Sequence, residues 1–330
     1  MKFQNPLRCQ SMLCQLVLCG LVLAAPALSF GGDAANTKIQ RPFLWKITRT
    51  STADSAAKPH AYLFGTIHVP NKNVTQLHPT AQRAWDESTA AFFEIDFLKN
   101  SDDQTAAISL PDGQKLEDLV PPDTLQRLDA RLKKISPLMS RTALPNAKIA
   151  VWPLLLGNLD AQMRDLGQLP MDLKLFQEAR SKSKLVGGLE QATSQLKTLV
   201  SLTNEEQLAF LKGTLDGMDD DDAKNIDRLS LTIKLYASGD AEKFRQFIDE
   251  DLKRSTISDE LRDKIIQGLL VDRNKLMAES IAKNMQQSSD RIFFFAVGVG
   301  HLVGKDSVQD FLKSHDMTIE RVSADNSGIE

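Results

Sequence analysis

Cysteine is almost missing from this 330-residue chain, and the three that occur, Cys9, Cys14 and Cys19, all fall within the first 20 residues. The remainder therefore has no disulfide, no thiol nucleophile and no thiolate metal site. The chain also lacks HExxH, G-x-S-x-G and P-loop motifs. Gly298-x-Gly300 is followed by Val303 where a dinucleotide fingerprint needs glycine, and it runs into a histidine, which argues against a Rossmann cofactor site. There is no large excess of either charge: the formal net charge is -3. A nucleic-acid partner is not expected from such a balance.

The N-terminal segment has its own character. Lys2 and Arg8 give a basic start, residues 12–23 form an apolar core, and Ala25-Pro26-Ala27 and Ala27-Leu28-Ser29 resemble small-residue cleavage sites. Residues 1–29 therefore read as a secretory signal peptide, too short and wrongly flanked for a membrane span. The expected location is periplasmic or secreted, after cleavage near Ala27 or Ser29, with membrane contact only through that peptide. Its removal would take away two basic residues, leaving an acidic chain. Residues 30–322 form the expected folded part, and 323–330 a polar tail.

What is present is a device that occurs twice. Tyr62-Leu63-Phe64-Gly65-Thr66-Ile67-His68 is an apolar run that stops at a glycine and delivers a histidine three residues later. Phe293-Phe294-Phe295-Ala296-Val297-Gly298-Val299-Gly300-His301 repeats it near the other end of the chain. Short apolar runs bounded by glycine fit buried strands of a parallel sheet. Ligands of open α/β sheets bind outside the carboxyl ends of the strands. Gly65 and Gly298 would allow positive φ and close backbone approach at those ends. Either histidine alone reads as an ordinary strand-end residue; the repeat points to one shared site.

Between the two devices, residues 90–97 read as another strand, with Glu94 and Asp96 on one face. A buried carboxylate there has to be paired or bind a metal. Residues 43–48 suggest an edge strand and 184–189 a short strand ending in Gly188-Leu189-Glu190. Helices are expected at 79–88, 171–182, 191–201, 204–215, 222–237, 241–249 and 269–286. Asp219 to Asp222 reads as a solvated helix start. Asp306-Ser307-Val308-Gln309 reads as a capping box, and residues 318–322 as a closing strand. The fold class is α/β: a central, mostly parallel sheet with a large helical middle region over about residues 99–287.

Two imidazoles and a carboxylate are a recurrent ligand set for a catalytic divalent metal with open positions. Zinc is compatible with such a set. Glu190 is the candidate general base, or else a first-turn residue of the helix after it.

These residues, in this order, resemble the TraB/GumN family, which includes the Tiki metal-dependent proteases. The landmarks are Gly65-Thr66-Ile67-His68, Phe93-Glu94-Ile95-Asp96, Gly188-Leu189-Glu190 with Gln195, Tyr236 with Gly239-Asp240, Arg273-Asn274 and Gly298-Val299-Gly300-His301-Leu302. The resemblance implies a sheet assembled from N- and C-terminal parts, similar to erythromycin esterase and the ChaN-like haem-binding proteins. It implies a peptide or protein substrate, manganese or cobalt as the metal, and His68, His301 and Glu94 as its ligands. Arg273 would be an oxyanion- or carboxylate-binding group. Haem, held by the same histidines in a non-catalytic binding protein, is the alternative. Pro170-Met171-Asp172 departs from the family's Gly-x-Asp and leaves Asp172 without an assigned role.

Overall fold

The computed structural model describes residues 38–50, 60–98, 106–288 and 290–323. The expected signal peptide, the loop at 51–59 and the tail beyond Ser323 lie outside the described residues. Six strands form one sheet: β1 (Leu44–Arg49), β2 (His60–Thr66), β3 (Ala90–Ile95), β4 (Leu185–Glu190), β5 (Phe293–Gly298) and β6 (Met317–Arg321). Their order across the sheet is β4-β3-β5-β2-β1-β6. The β4–β3, β3–β5 and β5–β2 pairs are parallel, whereas β1 pairs antiparallel with both β2 and β6. The expected mostly parallel sheet forms, with five strands from the two ends of the chain and β4 from its middle region.

The centre of the sheet is β5, all six residues of which are buried. Phe294 packs on Phe64 of β2, ring centroids 5.3 Å apart, and edge-on against Trp85 at 5.1 Å. A strand buried on both faces needs apolar residues at every position, which is why the sequence runs unbroken instead of alternating. The helix Asp272–Gln287 covers this layer with Met277, Ala278, Ile281, Ala282 and Met285, a stripe at helical spacing. A separate apolar cluster, including Leu128, Trp152, Leu156, Leu211 and Leu215, holds the helical middle region together. No helix among the described residues is long and apolar enough to cross a membrane.

Four local expectations are corrected. Strand β1 is not an edge strand: β6 pairs along its outer side, a long-range contact that local pattern does not encode. Asp219 to Asp222 do not start a helix; they lie in the last turns of the helix Asn204–Ala223, and the next helix, Arg228–Ser238, is capped by Asp227. Carboxylates at a helix C-terminus oppose the macrodipole. Here arginines offset that cost: Arg131 bonds Asp219 and Asp222, and Arg228 and Arg254 both bond Asp221. The helix Val308–Lys313 is capped by Ser307, whose hydroxyl accepts from the Asp310 N–H, while Gln309 donates to the Leu302 carbonyl. Finally, neither Gly65 nor Gly298 has positive φ. Their role is close approach alone.

Candidate active site

The register of β2 on β5 sets Thr66 opposite Gly298, so the two turns carrying His68 and His301 leave the same edge of the sheet. Gly65 makes that possible: a Cβ there would lie 2.8 Å from the Phe43 Cβ and 3.3 Å from the Val299 Cβ. The buried Tyr236 hydroxyl donates to the Gly65 carbonyl at 2.7 Å and braces the first turn. Gly300, in contrast, has only a distant side-chain neighbour and meets no such requirement.

Glu94 stands between the imidazoles. Its Oε1 lies 3.7 Å from His68 Nε2 and 3.9 Å from His301 Nε2, and accepts the Gly298 N–H at 2.6 Å. Its Oε2 accepts from Arg273 at 2.6 Å. Burial works against the ionised carboxyl, but Arg273 and the two imidazoles hold Glu94 well below the usual carboxylate range. Glu94 is thus an anion at any ordinary pH.

The two histidines are oriented from behind. Asn274 Nδ2 donates to the Asp306 carbonyl at 2.7 Å, which turns its Oδ1 toward His301 Nδ1 at 2.6 Å. An amide oxygen only accepts, so His301 carries its proton on Nδ1 and presents a bare Nε2. Burial first, and Arg273 second, push the His301 pKa down to about 3, so this imidazole is neutral. His68 Nδ1 lies 3.3 Å from Asp172 Oδ2. Partial desolvation opposes the cation, but Asp172 and Glu94 outweigh it and hold the His68 pKa above its ordinary value. Asp172 sits in the first turn of the helix Met171–Ser181, where the macrodipole favours an anion. Its Oδ1 is buried and finds no hydrogen-bond partner among the described residues.

Arg273 is anchored on both sides. It donates to Glu190 Oε1 from Nε at 2.9 Å and from Nη2 at 2.6 Å, and to the Leu269 carbonyl from Nη1. A π-helical turn, Gln267–Val271, precedes it. Such a turn shifts the register of the helix beyond it. Gly268 lets the turn pack against Thr198, whose Oγ1 would be 2.0 Å from a Cβ there. The structure therefore brings His68, His301, Glu94, Arg273 and Asn274 together. Glu190 reaches them through Arg273 instead of facing the imidazoles, and Asp96 turns away to accept from the Leu98 N–H. The participant that local sequence reasoning left unassigned is Asp172; its place in the first turn of a helix after a proline was the available signal.

No group of three or more His, Cys, Asp or Glu side chains among the described residues is spaced to hold a metal ion as the structure stands. The donors nevertheless fit a divalent cation in kind. A Cβ on Gly298 would lie 3.0 Å from Glu94 Oε1, 3.1 Å from His68 Nε2 and 3.7 Å from His301 Cδ2, so glycine keeps open the space these three groups face. The Glu94, Glu190 and Asp172 carboxylates face two positive groups, Arg273 and a protonated His68, and a divalent cation would take the place of the His68 proton. Ligand atoms about 2.1 Å from one tetrahedral ion would be roughly 3.4 Å apart, a modest closure from the separations observed.

The fold and site define an α/β protein with a His-His-Glu cluster at the carboxyl edge of its central strands. The chain belongs to the TraB/PrgY/gumN family, whose sequence profile matches residues 43–321. It is 28% identical to the protein named Metalloprotease TIKI2 of Xenopus tropicalis, covering 86% of this chain and 60% of that one. It is 29% identical to Metalloprotease TIKI2 of Danio rerio (86% and 61% covered) and 26% identical to Metalloprotease TIKI1 of Homo sapiens (86% and 62% covered). The chain thus spans about six-tenths of the length of these relatives. No solved structure matches it, and kinship with erythromycin esterase and the ChaN-like proteins stays an expectation.

Proposed function

We propose that this chain is a metal-dependent peptidase in which His68, His301 and Glu94 hold a divalent ion, manganese or cobalt by family resemblance. The observation that carries the reading is the convergence of two Nε2 atoms and one carboxylate oxygen on the space beside Gly298, with Asp172 and Asn274 behind the imidazoles. The names of the TIKI relatives support the same class.

A bound ion would supply a hydroxide near neutral pH and polarise the scissile carbonyl. The chain's own residues do the rest. Asn274 fixes the His301 tautomer, and Asp172 orients His68. Arg273, held by Glu190, keeps Glu94 ionised and aimed inward. Arg273 borders the ion's place without entering it, since a guanidinium repels a cation. Glu190 is then a positioning residue for Arg273, not the general base expected from its strand-end place.

The test is incubation of the chain with a peptide library and Mn²⁺, Co²⁺ or Zn²⁺, with EDTA as control. Cleavage should need the metal and should be lost in His68→Ala and His301→Ala. A Soret band on haem titration, abolished by His68→Ala and unaccompanied by any cleavage, would replace this reading with haem binding. The proposal also sets the protein outside the cytoplasm. N-terminal sequencing of the cell-fractionated product should find it processed near Ala27 or Ser29.

A further inference from the structure

The approach to the site is one-sided. The His301, Glu94 and Arg273 side chains are buried, whereas the His68 side chain is 49% exposed. His68 and Val69 border a cavity of about 640 Å³ that is otherwise lined by the helical middle region. That volume falls in the range of ligand pockets, roughly 300–1,000 Å³.

The cavity is lined by apolar side chains, by the neutral polar Asn158, Thr214, Thr232 and Ser255, and by charged side chains that are held in ion pairs. Phe210, Met218, Leu229 and Ile257 line it. The cations that reach it already have partners: Arg131 holds Asp219 and Asp222, Lys134 holds Asp222, Arg164 holds Asp160 and Asp227, Arg228 and Arg254 hold Asp221, and Arg262 holds Asp259. A charged ligand would be desolvated there and gain no unspent counter-ion. Apolar side chains would lose only water.

Gly157 is an exposed helical residue at the edge of this space. It lies inside the helix Val151–Arg164 and lines the cavity. It has no positive φ, and a Cβ on it would meet nothing within 4 Å. The neighbouring glycines differ: a Cβ on Gly213 would meet Ile257 at 2.8 Å, and one on Gly217 would meet Arg254 at 3.4 Å. Glycine is among the poorest residues for a helix interior, and neither conformation nor packing asks for it at position 157.

We infer that this cavity is the substrate cleft, and that it takes an uncharged polypeptide segment through large apolar side chains lying on the His68 side of the scissile bond, with Gly157 setting the size admitted. The inference rests on the peptidase reading for its link to cleavage, but binding tests it separately. In EDTA, so that no cleavage can occur, fluorescence anisotropy is measured with two labelled peptides. One is an unstructured peptide carrying two leucines; the other has both leucines replaced by serine. The leucine peptide should bind at least tenfold more tightly, and Gly157→Trp should weaken it at least tenfold. Gly157→Ala should raise the melting temperature, since helix propensity improves and nothing is struck, while weakening the leucine peptide by less than Gly157→Trp does. Circular dichroism on both variants verifies the fold. Equal binding of the two peptides, or leucine-peptide binding untouched in a folded Gly157→Trp, would overturn the cleft. Intact leucine-peptide binding with no metal-dependent cleavage would overturn the peptidase reading and leave the cleft standing.

Discussion

The Gly298 N–H donates to Glu94 Oε1 at 2.6 Å across a sequence separation of 204 residues. One backbone amide at the end of β5 thus aims the carboxylate at the end of β3, and the absent side chain of the same residue leaves room for what the carboxylate faces. Gly298→Ala separates these two roles. The amide remains, but the added methyl would stand 3.0 Å from the carboxylate and 3.1 Å from His68 Nε2. Isothermal titration with Mn²⁺ or Co²⁺ should show at least a tenfold loss of affinity with little change in melting temperature. Wild-type affinity in a folded variant would contradict the placement of the metal.

Asn274 and Asp172 would act on a metal held by the proposed ligands only through the imidazoles. Outer-shell partners of this kind are worth about 10–100-fold in metal affinity. Asn274→Ala and Asp172→Ala should each weaken binding by about that much. The d–d spectrum of the cobalt-loaded protein should also shift, because the ring orientations change. An unchanged spectrum and affinity in both variants would show that the histidines are held by packing alone.

Asp221 ties three elements through Arg228 and Arg254. Burial works to raise its pKa, but the two guanidiniums bring it below the ordinary aspartate value. A folded-state pKa below the unfolded one, about 3.9, contributes stability above that pH, and the contribution is lost as pH falls through the folded value. Asp221→Asn should cost about 2 kcal/mol at pH 7, in the range of hydrogen bonds to charged groups. In urea titrations the gap between wild type and variant should narrow below about pH 4. A gap constant from pH 7 to pH 3 would contradict the charge-based account.

Phe294 is fully buried on the central strand, between Phe64 and Trp85. Phe294→Ala should destabilise by about 3–5 kcal/mol. The check is chemical denaturation, which should give a lower midpoint at a similar slope.

Much of this was legible in the sequence because burial on both faces of a strand leaves an unbroken apolar run. The runs at 62–64 and 293–297 were therefore visible, each with its glycine and histidine. Their pairing as parallel neighbours came from the repeat, since only then do both turns open on one edge. What stayed hidden was set by partners distant in sequence. Glu190 reads as a general base at a strand end, and only the fold puts Arg273 between it and Glu94. Asp172 has no role that local pattern assigns, because only the fold sets it 3.3 Å from His68. Asp219 to Asp222 had no visible reason to end a helix, because the arginines that hold them come from helices on either side.

The central claim is that His68, His301 and Glu94 act as one metal site. The most direct measurement is metal-dependent peptide cleavage by the wild-type protein, by His68→Ala and by the double variant with His301→Ala, each in Mn²⁺, Co²⁺, Zn²⁺ and EDTA, with circular dichroism to verify folding. The account predicts cleavage by the wild type with metal, none in EDTA, and none by either variant. Cleavage that survives removal of both histidines would contradict it.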